Sequence, residues 1–448
     1  MKDAPAWFGQ PRGLTILFLT NMWEQFSYYG MRALLVFYMT KQLLIHQDDA
    51  SSIYGYYTAA AYFTPIFGGL LADRFLGKRR AILIGGSVMA AGHFMMTWEP
   101  LFYPALATIA LGNGLFLPSL PSQIDDLYEP GDPRIGWAYN VYYVGINIGG
   151  LLAPLVCGTL GEVYGWHWGF GAAGIGMCLG LATYVWGQRY LPARARHPRV
   201  ESGPGPRGRF DARTVILLVA IAASVVVFRG AYEQLGNTVP LWADTGVAKQ
   251  VGHVADPFIW LASLVGINGA GWRAVQIPMT WFISLDPLFV MLMTPFLLRW
   301  WQRRAERGRA EASSRRMAAG ALVVAGSFLF LAVLAHLNGA GGTAWPWFVL
   351  FFVLFTFGEL LILPTGLGLF ARLAPAGLGA TTVAAWFLAT SAGSLASGTV
   401  GRLWSRVPPE GFFLMLAGIA AIAALMLRAT DTLEQQVARQ RRRDAQAA

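Results

Sequence analysis

Charge is what this chain has least of. Asp, Glu, Lys and Arg make up 13% of 448 residues, against about 25% in soluble globular domains. Cysteine is nearly absent. Cys157 and Cys178 both fall in apolar stretches, so there is neither a disulfide framework nor a metal-ligand spacing, and no metal or other cofactor is expected. Histidine is scarce, and no His-x-x-x-His, paired cysteine or Ser–His constellation falls within the apolar segments. That removes the nucleophile–base pairs and ligand sets an enzyme would need, so no enzymatic activity is expected. The start MKDAPAWFGQPRG is polar and the first apolar run is too long for a signal-peptide h-region; no cleavable leader is expected.

What is present is apolar: hydrophobic residues reach 55% and the mean hydropathy is +0.46. These values define an integral membrane protein, and the spans below make an all-α one the expectation. The formal charge of +10 would point to nucleic acid in a soluble protein. Here the basic residues sit in loops, so it reports membrane topology and no nucleic-acid partner is expected.

The stretch Leu14 to Leu44 organises the rest. It is long enough to cross a bilayer, which takes about 20 residues, yet it carries Asn21, Glu24, Gln25, Tyr28, Tyr29 and Arg32. These share one helical face. A charge at mid-bilayer costs roughly 2.5–3.5 kcal/mol on insertion scales, so this face must line a polar interior shared with other helices.

Apolar segments of spanning length recur near 14–44, 51–76, 81–98, 101–124, 137–160, 168–190, 214–243, 278–301, 317–338, 345–372, 377–403 and 409–428. Twelve spans divide into an N-terminal six-helix bundle (1–190), a linker (191–213) rich in Arg, Pro and Gly, and a C-terminal six-helix bundle (214–430). Residues 431–448 form a basic tail, most simply a solvated end. Two pseudo-symmetric halves are the pattern of an alternating-access carrier. Placing both termini in the cytoplasm puts Arg74, Lys78, Arg79, Arg80, the linker, the stretch 299–316 and the tail inside, leaving Lys41, Lys249, Arg273, Arg402 and Arg406 outside. The longest outer loop, 243–277, contains an apolar part, 257–267, suited to the membrane surface.

The loop after the second span reads Gly-Gly-Leu-Leu-Ala-Asp73-Arg74-Phe-Leu-Gly77-Lys78-Arg79-Arg80. It resembles the signature loop of the major facilitator superfamily, a structural and gating element. Five further stretches narrow the resemblance: Glu24-Gln25-Phe26-Ser27-Tyr28-Tyr29-Gly30-Met31-Arg32, Tyr62-Phe63-Thr64-Pro65-Ile66, Tyr142-Tyr143-Val144-Gly145-Ile146-Asn147-Ile148-Gly149-Gly150, Tyr232-Glu233-Gln234, and Gly358-Glu359-Leu360-Leu361 followed by Pro364-Thr365-Gly366-Leu367. Collinear across both halves, they resemble the proton-dependent oligopeptide transporters, the POT family. The resemblance implies a carrier importing di- and tripeptides with protons as the coupling ion; the size and compactness of the chain add the expectation of a bacterial inner (cell) membrane, and a monomer is expected. An exporter or importer of another small solute or drug within the same superfamily is the alternative.

Such a site should clamp a peptide's two charged ends and leave roomy apolar pockets between them. By resemblance, Glu359 receives the amino group and Arg32 faces the carboxylate or an interhelical partner. Tyr28, Tyr29, Tyr62 and Asn147 supply hydrogen bonds. Trp386 is a pocket wall, with a packing or belt role equally open.

The departures from the family pattern matter as much. The first helix keeps Glu24 but has Asn21 and Gln25 at the other positions of the usual Glu-x-x-Glu-Arg, and Leu117 replaces the usual lysine of the fourth span. A buried Glu24 without a neighbouring cation suits a proton carrier. In the C-terminal half, Asp286 stands where the family has asparagine, and Arg229 precedes Glu233 by one helical turn. A local Arg229–Glu233 ion pair is one account; a coupling network of Arg229, Glu233 and Asp286 is the other. Glu24, Glu233, Asp286 and Glu359 face only Arg32 and Arg229 within the spans.

Overall fold

The computed structural model describes residues 9–129, 132–192, 210–248, 277–307, 311–338, 342–375 and 378–447. Most of the linker and the apolar part of the long outer loop lie outside the described residues. Helices dominate: α1 (Arg12–Phe37), α2 (Gln47–Leu71), α3 (Lys78–Met95), α4 (Phe102–Ser119), α5 (Ile135–Ala153), α6 (Trp166–Gly187), α7 (Ala212–Tyr232), α8 (Thr238–Gly246), α9 (Met279–Ile283), α10 (Leu285–Glu306), α11 (Ser313–Asn338), α12 (Trp345–Leu373), α13 (Gly379–Gly401), α14 (Pro409–Ala429) and α15 (Asp431–Ala447). Two short strands, Val247–Ala248 and Thr343–Ala344, pair in parallel.

Among the described residues, nine helical segments are long and apolar enough to cross a membrane. The segments built on α1, α2 and α3 are not among the nine. Polar composition is the reason: α1 carries the polar stripe, and α3 opens on Lys78, Arg79 and Arg80. Two expected spans are broken beside candidate site residues. The seventh tightens into a 3-10 turn over Glu233–Gly236 before α8, and the eighth is interrupted at Ser284, which places Asp286 in the first turn of α10.

α1 packs on α5 and α6, α3 on α4 and α6, and α2 on α4. In the second half, α11 packs on α12 and α14, and α7 on α13 and α14. The halves meet where α2 packs on α13 and α5 on α10. The stripe on α1 is buried as the membrane argument requires. Asn21 Nδ2 donates to the Tyr142 carbonyl at 3.1 Å and Ser27 Oγ to the Ala173 carbonyl at 2.6 Å, which fastens α1 to α5 and α6. Opposite, Phe328, Phe348, Phe351, Phe352 and Phe355 form a buried aromatic cluster between α11 and α12.

The loop between α2 and α3 turns on Gly77, whose φ of 75° a side chain would strain. Lys78 then donates to the Ser122 carbonyl at 2.8 Å and to Asp126 Oδ2 at 2.7 Å. Lys78 thus ties this loop to the segment that follows α4. The tail is not a free solvated end. Both oxygens of Glu434 accept backbone N–H bonds from Ser313 and Ser314 at 2.9 and 2.8 Å, and Arg441 donates to the carbonyls of Arg372 and Leu373. α15 therefore caps the N-terminus of α11 and the C-terminus of α12, where orphan backbone groups need partners.

Candidate functional site

A cavity of about 690 Å³ lies between the two halves, within the range of about 300–1,000 Å³ usual for small-molecule sites. Its floor is polar: Tyr29, Arg32, Tyr62, Asn147, Arg229, Asp286 and Glu359 all line it, with Trp386 on the wall. Towards its other end the lining is apolar and includes Leu297, Leu298, Trp301, Leu367 and Ala371 from the later turns of α10 and α12.

Glu233 sits behind the floor, fully buried, and ion-pairs with both Arg32 and Arg229. Arg32 Nε also donates to the Tyr54 hydroxyl at 2.8 Å. The Arg229 guanidinium lies 4.7 Å from the centre of the Tyr62 ring and 5.4 Å from that of Tyr232, distances at which the ring quadrupole attracts a cation. The local Arg229–Glu233 pair is present, and Arg32 from the other half has joined it.

Asp286 is not part of that group, contrary to the three-residue network expected from the sequence. Its Oδ1 accepts from Thr356 Oγ1 at 2.6 Å, and Thr356 lies one turn before Glu359 on α12, so the two carboxyls stand on neighbouring parts of the same cavity lining. Both guanidinium groups are already taken by Glu233. Helix geometry gives the reason: Arg229 and Glu233 are adjacent turns of one chain segment, whereas Asp286 and Glu359 meet through the packing of α10 on α12. Glu359 Oε1 accepts from the Tyr232 hydroxyl at 2.9 Å, and Oε2 is buried without a donor of its own.

Two further expectations are redirected. Glu24 does not line the cavity; it is buried on α1 and accepts a bond from Gln25 Nε2 at 2.6 Å. Tyr28 does not line it either, its ring packing edge-on to Tyr29 and stacked on Tyr57. In their place are Asn140, Tyr143 and Tyr232. Asn140 and Tyr143 lie seven and four residues before Asn147, on the same helical face, a signal that was available in the sequence. Asn147 Nδ2 donates back to the Tyr143 carbonyl at 2.9 Å.

Beyond the floor, at the end where Lys41 lies, the halves are tied together. Lys41 Nζ meets Asp244 at 2.5 Å, Ser51 Oγ donates to Asn237 Oδ1 at 3.1 Å, Gln47 Nε2 donates to the Gly401 carbonyl at 3.1 Å, and Asp48 pairs with Ser405 and Arg406. Gly55 and Gly398 touch backbone to backbone; a Cβ on Gly55 would come within 2.6 Å of the Gly398 Cα. A second seam joins Glu162, whose carboxylate accepts the backbone N–H groups of Met279 and Thr280 at 3.0 and 2.9 Å.

These features define a multi-pass membrane protein with a charged internal cavity, closed at one end by contacts between its two halves. The sequence matches the POT family model over residues 79–201 and 209–412, and the chain belongs to that family. It is 30% identical to "Uncharacterized transporter YclF" of Bacillus subtilis (strain 168), over 96% of this chain and 97% of the relative. It is also 30% identical to a "Di-/tripeptide transporter" of Lactococcus lactis subsp. lactis (strain IL1403), over 95% and 96% of the two chains. A crystal structure of peptide transporter POT in complex with sulfate superposes with a TM-score of 0.83 at 28% identity, covering 96% of each chain.

Proposed function

We propose that the chain is a proton-coupled symporter that imports di- and tripeptides by alternating access. In this reading its helices form twelve spans in the two six-helix bundles of a major facilitator fold, with both termini on the cytoplasmic side and the protein working as a monomer. The observation that carries the reading is that Arg32 and Glu359, from opposite halves, line one cavity of dipeptide scale. A zwitterion bridging them would be held by its carboxylate at the arginine end and by its amino group at the Glu359 end.

Coupling follows from the pairing. Glu233 ties Arg32 to α7, so a proton on Glu233, or a peptide carboxylate replacing it, frees Arg32 and loosens the tie between the halves. Asp286, in the cavity lining, and buried Glu24 are further carboxylates available to carry protons, Glu24 having no cation beside it. Lys78, Gly77 and the neighbouring Asp73 and Arg74 form the gating loop at the opposite end. The cavity then faces the cytoplasm and the Lys41 end faces outward.

The test is uptake of labelled dialanine into proteoliposomes. A gradient acid outside should drive accumulation, and Glu359→Gln should lower the apparent affinity by about tenfold or more, the scale of a lost buried charge contact. Uptake indifferent to both the gradient and excess unlabelled dialanine would sink the peptide reading and favour another solute.

A further inference from the structure

We infer that Asp286 and Glu359 form one carboxyl subsite with two charge states. With a shared proton in place it accepts the amino end of a zwitterionic peptide; without that proton it selects a peptide carrying one further positive charge near its amino end. This rests on the peptide reading above and specifies the substrate class within it.

The argument is a count of fixed charge. Arg32, Arg229, Asp286 and Glu359 are the charged side chains among the described lining residues. Glu233 offsets one of the two guanidinium charges, so the arginine end keeps one net positive charge, enough for one peptide carboxylate. At the other end, Thr356 ties Asp286 to the helix face of Glu359, and two ionised carboxylates lining one cavity side by side repel, so the pair holds a proton. With that proton the pair carries one negative charge and matches one ammonium group. Without it the pair carries two and is left short by one positive charge. The protein supplies only neutral donors, Thr356 to Asp286 and Tyr232 to Glu359, while Glu359 Oε2 is buried and has no donor of its own.

The groups facing the pair leave it as the element that changes charge. The same cavity is lined by Tyr29 and Arg32 from α1, Tyr62 from α2, Tyr143 from α5, and Arg229 and Tyr232 from α7, with Glu233 paired to the two arginines. No histidine or lysine is among the described lining residues. Tyrosine and arginine keep one charge state between about pH 5 and 8. Raising the pH therefore removes the shared proton, makes the subsite more negative and strengthens its hold on an extra cation.

The experiment measures binding of dialanine and lysyl-alanine to the purified full chain at about pH 5 and about pH 7.5, a range over which the lysine side chain stays charged. Both ligands have an α-amino group, so its own titration cancels in the ratio of affinities. In the wild type, preference for lysyl-alanine should rise by about tenfold between the two pH values, the scale of one partly buried charge contact. In Asp286→Asn, which keeps the shape and an acceptor for Thr356, the preference should stay flat. A flat wild-type ratio overturns the inference, and so does an equal rise in Asp286→Asn. The wild-type series decides alone if the variant is not recovered. Dialanine binding with a flat ratio removes only this inference, whereas no binding of either peptide removes the peptide reading with it.

Discussion

The two ends of the cavity are built from different materials. At the Lys41 end the halves are held by polar pairs and by one glycine contact, each of which breaks without exposing a large apolar surface. At the Trp301 end the lining is leucine and tryptophan from the later turns of α10 and α12. Side-chain hydrogen bonds between membrane helices are worth only about 0.6–2 kcal/mol each. A seal assembled from such contacts is closed by their sum and can open when one charged member leaves. The difference teaches that the Lys41 end is the adjustable one in this conformation, with Glu233 its most consequential member because it holds an arginine from each half.

The sharpest way to break the comparison is Glu233→Gln. Both guanidinium groups lose their shared carboxylate inside the protein, and removing one partner of a buried pair costs about 3–5 kcal/mol. The expected result is a clear fall in the apparent Tm of the purified chain, partly recovered when Arg229 is also replaced by methionine. An unchanged Tm would mean that the seal does not depend on this ion group.

A smaller effect should follow from Gly55→Val, which forces α2 off α13. Overpacking costs about 1–3 kcal/mol, and it falls on the closed form alone. A cysteine at Thr390, with Cys157 and Cys178 replaced by serine, should then react faster with an impermeant thiol reagent from the Lys41 side, by about tenfold for 1.4 kcal/mol. Gly368→Ala, at the wide end where an added Cβ meets nothing within 4 Å, should leave the rate unchanged. Equal rates in the two variants would erase the distinction between the ends.

The smallest effect belongs to Asp48→Asn at the rim. The Ser405 hydroxyl, with the Arg406 guanidinium, holds the Asp48 carboxylate below its usual range. A depressed carboxylate contributes its full stabilisation above the ordinary value and loses it as the pH falls through the depressed one. The Tm difference between wild type and Asp48→Asn should therefore be small and identical at about pH 5 and about pH 8, shrinking only in stronger acid. A difference that vanished already near pH 6 would place the rim among the proton-sensing groups.

Legibility in the sequence followed sequence distance. The polar face of α1 and the Arg229–Glu233 pair were readable because helical period places those residues together within a few turns. The breaks at Glu233 and Ser284 were not, since apolar runs on both sides mask them. Nor could the sequence divide two bases among four acids: the Arg32–Glu233 contact spans 201 positions. The docking of α15 was hidden for the same reason, because its partners are backbone groups whose orphaned state exists only once α11 and α12 have ended.

What the sequence by itself determined is the solvent and the side of each helix that must avoid it: an apolar chain with a few ionisable residues has to gather them inward. Only tertiary structure decided which of those residues meet. Helix rotation and crossing set that, and a rotation of one residue position turns a side chain by about 100°. That is enough to exchange a place on the cavity floor, as at Glu359, for burial between helices, as at Glu24.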